Sequence, residues 1–195
     1  MRTLLVATTN PGKLREIREL MANAPVELVS LADLAPIPEP DETGATFEDN
    51  ARLKARHYAA HSGLATVAED SGLVIDALDG EPGVRSARYL GADASYPERF
   101  AEIFRRLDAH PDRPRSARFV AALACVDDGH VVYETTGVVD GEIARAARGT
   151  GGFGYDPIFV YPAYGNTLAE VGQAEKTAVA HRGVAFRNFA KWISR

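Results

Sequence analysis

Lysine is scarce in this sequence, although arginine is not. Of the 22 basic residues only four are lysines, and three of these lie in segments rich in glycine, aspartate, asparagine or histidine: Lys13, Lys54 and Lys176. An ammonium group is a compact, strongly hydrated point charge, whereas a guanidinium group is a planar fork. The three lysines therefore indicate sites that need a small cation beside a densely charged anion. Codon bias and chance are the alternative explanation.

Cysteine, long apolar runs and an excess of basic residues are also missing. The one cysteine, Cys125, excludes an internal disulfide and lies in the apolar run FVAALACV, which predicts a buried thiol. No apolar run approaches the roughly 20 residues of a membrane helix, and the N-terminal segment is too short in apolar residues for a signal peptide. The net charge of −5 argues against a nucleic-acid surface. We therefore expect a cytoplasmic protein that binds neither membrane nor nucleic acid.

Some segments are short apolar runs, as in buried strands, and others have apolar residues at helical spacing. This succession of patterns along the chain predicts a mixed α/β protein. At 195 residues the chain is long enough for one domain with a sizeable core, or for two lobes around a cleft. The expected strands are 3–7, 26–31, 66–70, 73–78, 117–126 and 130–139, with Asp128-Gly129 as a hairpin turn. The expected helices are 12–22, 46–61, 95–107 and one that begins near residue 183.

The segment TTNPGK lies between the first strand and the first helix. A turn at this place offers hydroxyls, free backbone N–H groups and a positively polarised helix start, all suited to phosphate, and Lys13 adds a full charge. It is not a Walker A loop, because the glycine spacing is absent and Leu14 stands where the metal-binding hydroxyl belongs. A solvated turn with a surface lysine is the alternative.

Two adjacent carboxylates, Glu69 and Asp70, end a predicted strand before a Ser71-Gly72 turn. Neighbours on a strand point to opposite faces, so both cannot face one cleft unless the chain bends, and Asp70 is the better candidate for a reactive site. Glu42, in the proline-rich loop of residues 35–44, can supply a second carboxylate. Two carboxylates together with substrate phosphate oxygens commonly hold Mg²⁺. A capped turn without function is the alternative.

Two later segments have the composition of a ligand site. In GTGGFGYDP the glycines allow close approach to the backbone, Phe153 can stack on a base, and Asp156 can accept hydrogen bonds from ring N–H groups. In EKTAVAHRG, Lys176, His181 and Arg182 precede the last predicted helix, and Arg182 can donate to a purine O6 or to phosphate. The alternatives are a flexible loop with its rings in the core, and solvated basic residues at a helix entry.

Six segments, taken in order, resemble those of the inosine triphosphate pyrophosphatase family, also called dITP/XTP pyrophosphatases. They are ATTNPGKLREI, ETGATFEDNARLKA, EDSGL, PGVRSARY, GTGGFGYDPIF and EKTAVAHRG, and they span nearly the whole chain. Thr9 stands where the family usually has glycine, and Ala180 where it usually has serine, but neither change removes a catalytic group. The resemblance implies an elongated mixed sheet with helices, in which residues 1–195 form one domain of two lobes around a central nucleotide-binding cleft.

The resemblance also implies an activity and the residues that carry it. The activity is Mg²⁺-dependent hydrolysis of ITP, dITP and XTP to the monophosphate and pyrophosphate, by a homodimer. Asp70 would accept the proton and bind Mg²⁺ with Glu42, although Glu39 and Asp41 lie close by in the same loop. The triphosphate would be held by Thr8, Thr9, Asn10, Pro11, Gly12, Lys13, Lys54 and Ser71. The base and sugar would be surrounded by Phe153, Gly154, Tyr155, Asp156, Lys176, His181 and Arg182.

Two other functions stay open at this point. One is a pyrophosphatase of similar architecture that acts on modified pyrimidine nucleotides, which the complete FGYDP and HRG segments disfavour. The other is a nucleotide sensor without turnover, which the carboxylates of Glu42 and Asp70 disfavour.

Base selection would follow from hydrogen-bond polarity, because a 6-oxo purine accepts at O6 and donates at N1, whereas adenine presents the reverse pattern.

Overall fold

A computed structural model describes residues 2–195, and its strands form one mixed sheet. The strands are β1 Arg2–Ala7, β2 Val26–Ser30, β3 Ala65–Ile75, β4 Ser116–Asp127, β5 His130–Ile143, β6 Phe159–Tyr161 and β7 Asn166–Thr167. Their order in the sheet is β2-β1-β3-β4-β5-β6-β7. β1 pairs in parallel with β2 and β3, whereas β6 pairs antiparallel with β5 and β7. The predicted mixed α/β class is confirmed.

The α-helices begin and end at residues suited to those places. They are α1 Pro11–Leu20, α2 Phe47–Ser62, α3 Tyr96–Asp108, α4 Gln173–Val179 and α5 His181–Ile193. The Thr46 hydroxyl accepts a hydrogen bond from the Asp49 N–H at the start of α2, and Gly63 ends that helix in the left-handed conformation. Ser95 and Glu98 form the predicted capping box of α3. The predicted bounds of α2 and α3 are therefore confirmed to within about one residue.

The chain divides into two compact units. The first unit comprises the chain up to Asp70, Ala121–Gly137 and His181–Arg195, and the second comprises Ser71–Val120 and Val138–Ala180. Each unit has its own apolar core, the first around Ile17, Phe186 and Phe189 and the second around Ile103, Phe119 and Phe159. Burial of each such side chain stabilises the fold by about 1.5–3 kcal/mol. The arrangement as a single domain of two lobes around a cleft stays a prediction.

Two local predictions are wrong. Residues 65–75 form one continuous strand, so Ser71-Gly72 is not a turn, and residues 76–78 form a short 3₁₀ helix instead of more strand. Pairing of β3 with its neighbours in the sheet overrides the local turn preference of serine and glycine. The other concerns residues 173–179, which form the additional short helix α4, since they include strong helix formers. The last helix begins at His181, within two residues of its predicted start.

Two other predictions hold. β4 and β5 are neighbours in the sheet, and Asp128 and Gly129 between them have φ values of 47° and 76°, as a tight hairpin turn requires. Cys125 is buried, and burial raises the pKa of its thiol to about 12.

Within residues 2–195, no helix has both the length and the apolar character needed to cross a membrane.

Candidate active site

The TTNPGK segment is a tightly capped helix start in the first unit. The Asn10 side-chain Oδ1 accepts hydrogen bonds from the N–H groups of Gly12 and Lys13 at 2.9 and 3.1 Å. The N–H of Asn10 itself donates to Thr8 Oγ1 at 3.2 Å. The expectation of free N–H groups is therefore wrong for these three residues, because the capping side chain of Asn10 and the hydroxyl of Thr8 already accept their hydrogen bonds. Thr9 is exposed, and the Lys13 ammonium, which also contacts Glu69, is the cation of this segment.

A buried charge network joins α1, β3 and α5. Arg182 donates to both carboxylate oxygens of Glu69 at 2.7 Å and, through Nη1, to Glu16 at 2.6 Å. The Lys13 ammonium lies 3.3 Å from Glu69 Oε1. Burial by itself would raise the pKa of Glu69, but Arg182 and Lys13 hold it well below its ordinary value. Burial also lowers the pKa of Lys13, and the Glu69 carboxylate counters this in part. Two cations and two carboxylates thus balance one another, and all of them except the partly exposed Lys13 are nearly withdrawn from water.

Asp70, the next residue of β3, has different hydrogen-bond partners, as the alternation of a strand predicts. Lys54 Nζ donates to Asp70 Oδ1 at 3.0 Å and to Glu42 Oε1 at 2.9 Å. Asn50 Nδ2 donates to Asp70 Oδ2 at 3.1 Å, and Asn50 Oδ1 accepts from the Gly44 N–H at 2.7 Å. Burial would lower the pKa of Lys54, but the Asp70 and Glu42 carboxylates raise it. Asn50 therefore fastens the proline-rich loop to the carboxylate that we predict to be catalytic.

The carboxylates of this cluster fit a magnesium ion that is completed by substrate. Glu42 is the carboxylate of its loop that reaches the cluster, whereas Glu39 and Asp41 are exposed. Over residues 2–195, no three His, Cys, Asp or Glu side chains are grouped to hold a metal ion by themselves. Mg²⁺ commonly takes one or two carboxylates and fills its remaining positions with phosphate oxygens and water. The metal roles of Glu42 and Asp70 stay predictions.

In the second unit, the loop GTGGFGYDP folds around Asp156. The buried Asp156 Oδ2 accepts hydrogen bonds from the Phe153 N–H and from Lys176 Nζ, both at 2.7 Å. The Lys176 ammonium also lies 4.5 Å from the centroid of the Phe153 ring, within cation–π range. Gly152 has a φ of 70°, and a Cβ there would collide with Asp156 Oδ2. A buried ion pair therefore organises this loop.

The two rings of that loop are placed differently. Tyr155 is buried, its hydroxyl donates to the Ser86 carbonyl at 2.8 Å, and its ring meets Tyr96 edge-on at 5.3 Å. Burial raises the pKa of Tyr155. Phe153 and Gly154 are half-buried. Tyr155 thus packs in the core, as the alternative interpretation expected, whereas Phe153 faces a cation.

A cavity of about 880 Å³ in the second unit contains none of the predicted site residues. Two of its arginines already bind backbone oxygens: Arg115 donates to the carbonyls of Ile143 and Ala144, and Arg113 donates to that of Ala77. These two arginines hold the chain together at the cavity wall, and no residue of the candidate site lines the cavity.

The predicted site residues divide between the units. The first unit contains Thr8, Thr9, Asn10, Pro11, Gly12, Lys13, Glu42, Lys54, Asp70, His181 and Arg182, and the second contains Ser71, Phe153, Gly154, Tyr155, Asp156 and Lys176. Lys176, His181 and Arg182 are buried, which excludes solvated basic residues at a helix entry. The contacts of these residues with a nucleotide stay predictions.

Comparison with known proteins agrees with the resemblance. The model of the Ham1 family matches residues 4–192. The chain belongs to the Ham1 family. The chain is 42% identical over 194 residues to a dITP/XTP pyrophosphatase of Oceanobacillus iheyensis, which covers 99% of this chain and 98% of the relative. Another dITP/XTP pyrophosphatase, from Geobacter sulfurreducens, is 46% identical over 185 residues, or 95% of this chain and 93% of the relative.

Solved structures of Ham1 proteins share the fold. A HAM1 protein from Coxiella burnetii superposes with a TM-score of 0.92 at 39% identity, over 99% of this chain and 98% of the other. A nucleoside-triphosphatase / dITP/XTP pyrophosphatase from Mycobacterium abscessus gives a TM-score of 0.79 at 44% identity, over 99% and 100% of the two chains. The mixed sheet described above is therefore the fold of Ham1 proteins.

Three residues in the clusters of this Ham1 family member lie outside the predicted set. Glu16 follows Lys13 by three positions on α1, and this spacing places both on one helix face. Glu69 lies on the strand face opposite to Asp70, and the contacts of that face with Arg182 and Lys13 are not visible in the local sequence. Asn50 shares a helix face with Lys54, but its hydrogen bonds to Gly44 and Asp70 depend on the tertiary structure.

Proposed function

We propose that this chain hydrolyses the non-standard purine nucleoside triphosphates ITP, dITP and XTP to the nucleoside monophosphate and pyrophosphate. The observation that carries the proposal is the first-unit cluster in which Lys54 joins Glu42 and Asp70. Carboxylates that can hold Mg²⁺, with lysines for phosphate, are the equipment of phosphoanhydride hydrolysis. Support also comes from relatives that are named dITP/XTP pyrophosphatases and align with nearly the whole chain.

Asp70 is the residue we assign to proton acceptance from the attacking water. Lys54 and Asn50 each donate to one of its oxygens, so the carboxylate is held in one orientation. Such positioning is what general-base catalysis requires of a side chain. Mg²⁺ bound by Asp70 and Glu42 would neutralise phosphate charge and lower the pKa of a bound water.

Lys13 and Lys54 supply the positive charge for the triphosphate. As the bond between the α and β phosphates breaks, negative charge develops on the leaving pyrophosphate, and fixed cations stabilise it. Thr8, Thr9 and Ser71 add hydroxyl groups to this set. Glu16 and Glu69 are positioning residues, because both hold Arg182 of α5 and Glu69 also holds the Lys13 ammonium at the start of α1.

We assign recognition of the base to the loop of the second unit. The half-buried Phe153 ring offers a stacking face, and Lys176 is a donor held by Asp156. A donor that faces O6 accepts a 6-oxo purine, whereas the amino group of adenine would meet another donor. A mismatch of this kind is worth roughly 10⁴-fold in specificity.

The test is release of pyrophosphate in the presence of Mg²⁺ from ITP, XTP, dITP, GTP, ATP and dUTP side by side. We expect turnover of the first three and at least about 100-fold less from ATP, because of the polar mismatch. Equal turnover of GTP or dUTP would support the proposed reaction but contradict the proposed selection of the base. Binding without release from any nucleotide would favour the sensor.

We also propose that the protein is a cytoplasmic homodimer, as the family resemblance implies. Light scattering after size exclusion tests the assembly, with an expected mass twice that of one chain. A mass equal to one chain at micromolar concentration would contradict the dimer.

A further inference from the structure

Lys54 lies between the two carboxylates that the proposed function assigns to a metal ion. Its Nζ is 2.9 Å from Glu42 Oε1 and 3.0 Å from Asp70 Oδ1. The three side chains are 13%, 24% and 8% exposed, so this small cluster is largely shielded from water. In the structure, the two carboxylates already share one cation.

A metal ion and this ammonium compete for the same oxygens. Mg²⁺ binds carboxylate oxygens at about 2.0–2.1 Å, and an ammonium that donates to one oxygen of each carboxylate leaves no place for the metal ion at those two oxygens. Both groups are cations, and each therefore opposes the other in a shielded site. Lys54 cannot simply be moved aside, because a buried charge without a partner is unfavourable.

A second anion changes this balance. The ammonium is carried by a flexible four-carbon stem, and a triphosphate offers it a new partner. Asp70 itself is held in place, because Asn50, which is completely buried, donates to its other oxygen. The lysine can thus change partners while the carboxylate keeps its orientation.

We propose that Lys54 is an internal counter-ion that keeps divalent metal ions out of the nucleotide-free site and releases the carboxylates when a triphosphate arrives. Metal binding is then coupled to substrate binding. The inference rests on the proposed function for the identity of the anion. A lysine that only binds phosphate would have no such effect on metal binding in the free protein.

The experiment measures Mn²⁺ binding to the nucleotide-free protein at constant ionic strength. The electron paramagnetic resonance signal of free Mn²⁺ reports how much metal ion stays unbound. The wild-type chain is compared with Lys54→Met and with Lys191→Met, which removes an exposed lysine of α5. We expect Lys54→Met to bind Mn²⁺ at least about 10-fold more tightly than wild type, because a neighbouring positive charge is removed. Lys191→Met should match wild type. Equal or weaker binding by Lys54→Met would overturn the proposal.

Lys54→Gln repeats the comparison if Lys54→Met does not fold, since glutamine keeps a hydrogen-bond donor beside the carboxylates. A further experiment uses Lys54→Ala, in which added methylammonium can replace the missing ammonium group. Methylammonium should therefore weaken Mn²⁺ binding by this variant. An equal concentration of tetramethylammonium, which has no N–H donor, should weaken it less. Identical effects of the two cations would count against the proposal.

Mn²⁺ binding requires no turnover, so the two proposals fail in different ways. A wild-type chain that hydrolyses none of the six nucleotides refutes the proposed function and leaves the binding comparison valid. A Lys54→Met chain that binds Mn²⁺ no better than wild type refutes the counter-ion and leaves pyrophosphate release by the wild type untouched.

Discussion

The two units differ in how they use buried charge. The first unit has a network of Arg182, Lys13 and two glutamates, and beside it the Lys54 cluster with two more carboxylates. The second unit places the Lys176–Asp156 ion pair among glycines and aromatic rings. An array of charges suits a metal ion and a polyphosphate, whereas one ion pair beside a ring suits a flat base with a few hydrogen-bonding groups.

The comparison also separates stability from function. A buried ion pair costs desolvation and often stabilises a fold no more than apolar residues of the same volume would. Four carboxylates and three cations in one unit are therefore not explained by stability alone. Once such a network exists, however, removal of one member leaves a neighbouring buried charge with fewer partners. Substitutions can thus distinguish residues that act in the reaction from residues that hold the site in shape.

The largest expected effect is on the stability of the first unit. Glu69→Gln removes the negative charge that faces both Arg182 and Lys13, and we expect the free energy of unfolding to fall by about 3 kcal/mol, since breaking a buried pair typically costs about 3–5 kcal/mol. Denaturant unfolding measures this change. The control is Glu81→Gln at a surface pair with Arg106, which should cost no more than about 1 kcal/mol. Equal losses from both substitutions would contradict the buried network.

The next effect is on turnover. Asp70→Asn should fold normally and lose at least about 100-fold in kcat for ITP, the usual scale for a general base. Pyrophosphate release measures the loss, and Asp76→Asn, at a surface carboxylate paired with Arg118, is the matched control. Near-normal turnover by Asp70→Asn would remove this residue from the mechanism.

A smaller and different effect is expected in the second unit. Asp156→Asn weakens a charge-assisted hydrogen bond to Lys176, worth about 1.5–3 kcal/mol, so kcat/KM for ITP should fall by roughly 10-fold or more. Because we assign this cluster to base binding, the change should be mainly in KM, with exposed Asp112→Asn as the control. A loss confined to kcat would instead assign Asp156 to the chemical step.

The smallest effect concerns pH. The pKa of Glu69 is lower in the folded chain than the ordinary value of about 4.3, so the unfolded chain binds more protons in the window below that value. The stabilisation by Glu69 is therefore complete above about pH 4.3 and decreases as the pH falls towards the folded-state pKa. We expect the unfolding free energy of Glu69→Gln to depend less steeply on pH in this acidic window than that of wild type, by at most about 1.4 kcal/mol per pH unit. Parallel curves for the two proteins would show that Glu69 does not contribute this dependence.

Local chemistry determined much of what could be predicted. Caps, turn residues and periodic apolar positions act over a few neighbours, which is why the bounds of α2 and α3 and the Asp128-Gly129 turn follow from the sequence. The scarcity of lysine pointed to Lys13, Lys54 and Lys176, and each of them contacts a carboxylate in the structure.

Only the tertiary structure decided which carboxylates those are. Glu69 and Arg182 are 113 positions apart in the chain, and Asn50 and Asp70 are 20 apart, so no local pattern reports their contact. The Ser71-Gly72 pair likewise has a turn preference that pairing within the sheet overrides. Local sequence determined the elements of this protein and the types of residue at its site. Long-range packing decided the partner of each buried charge, because an ion out of water is stable only where the fold brings its counter-ion to it.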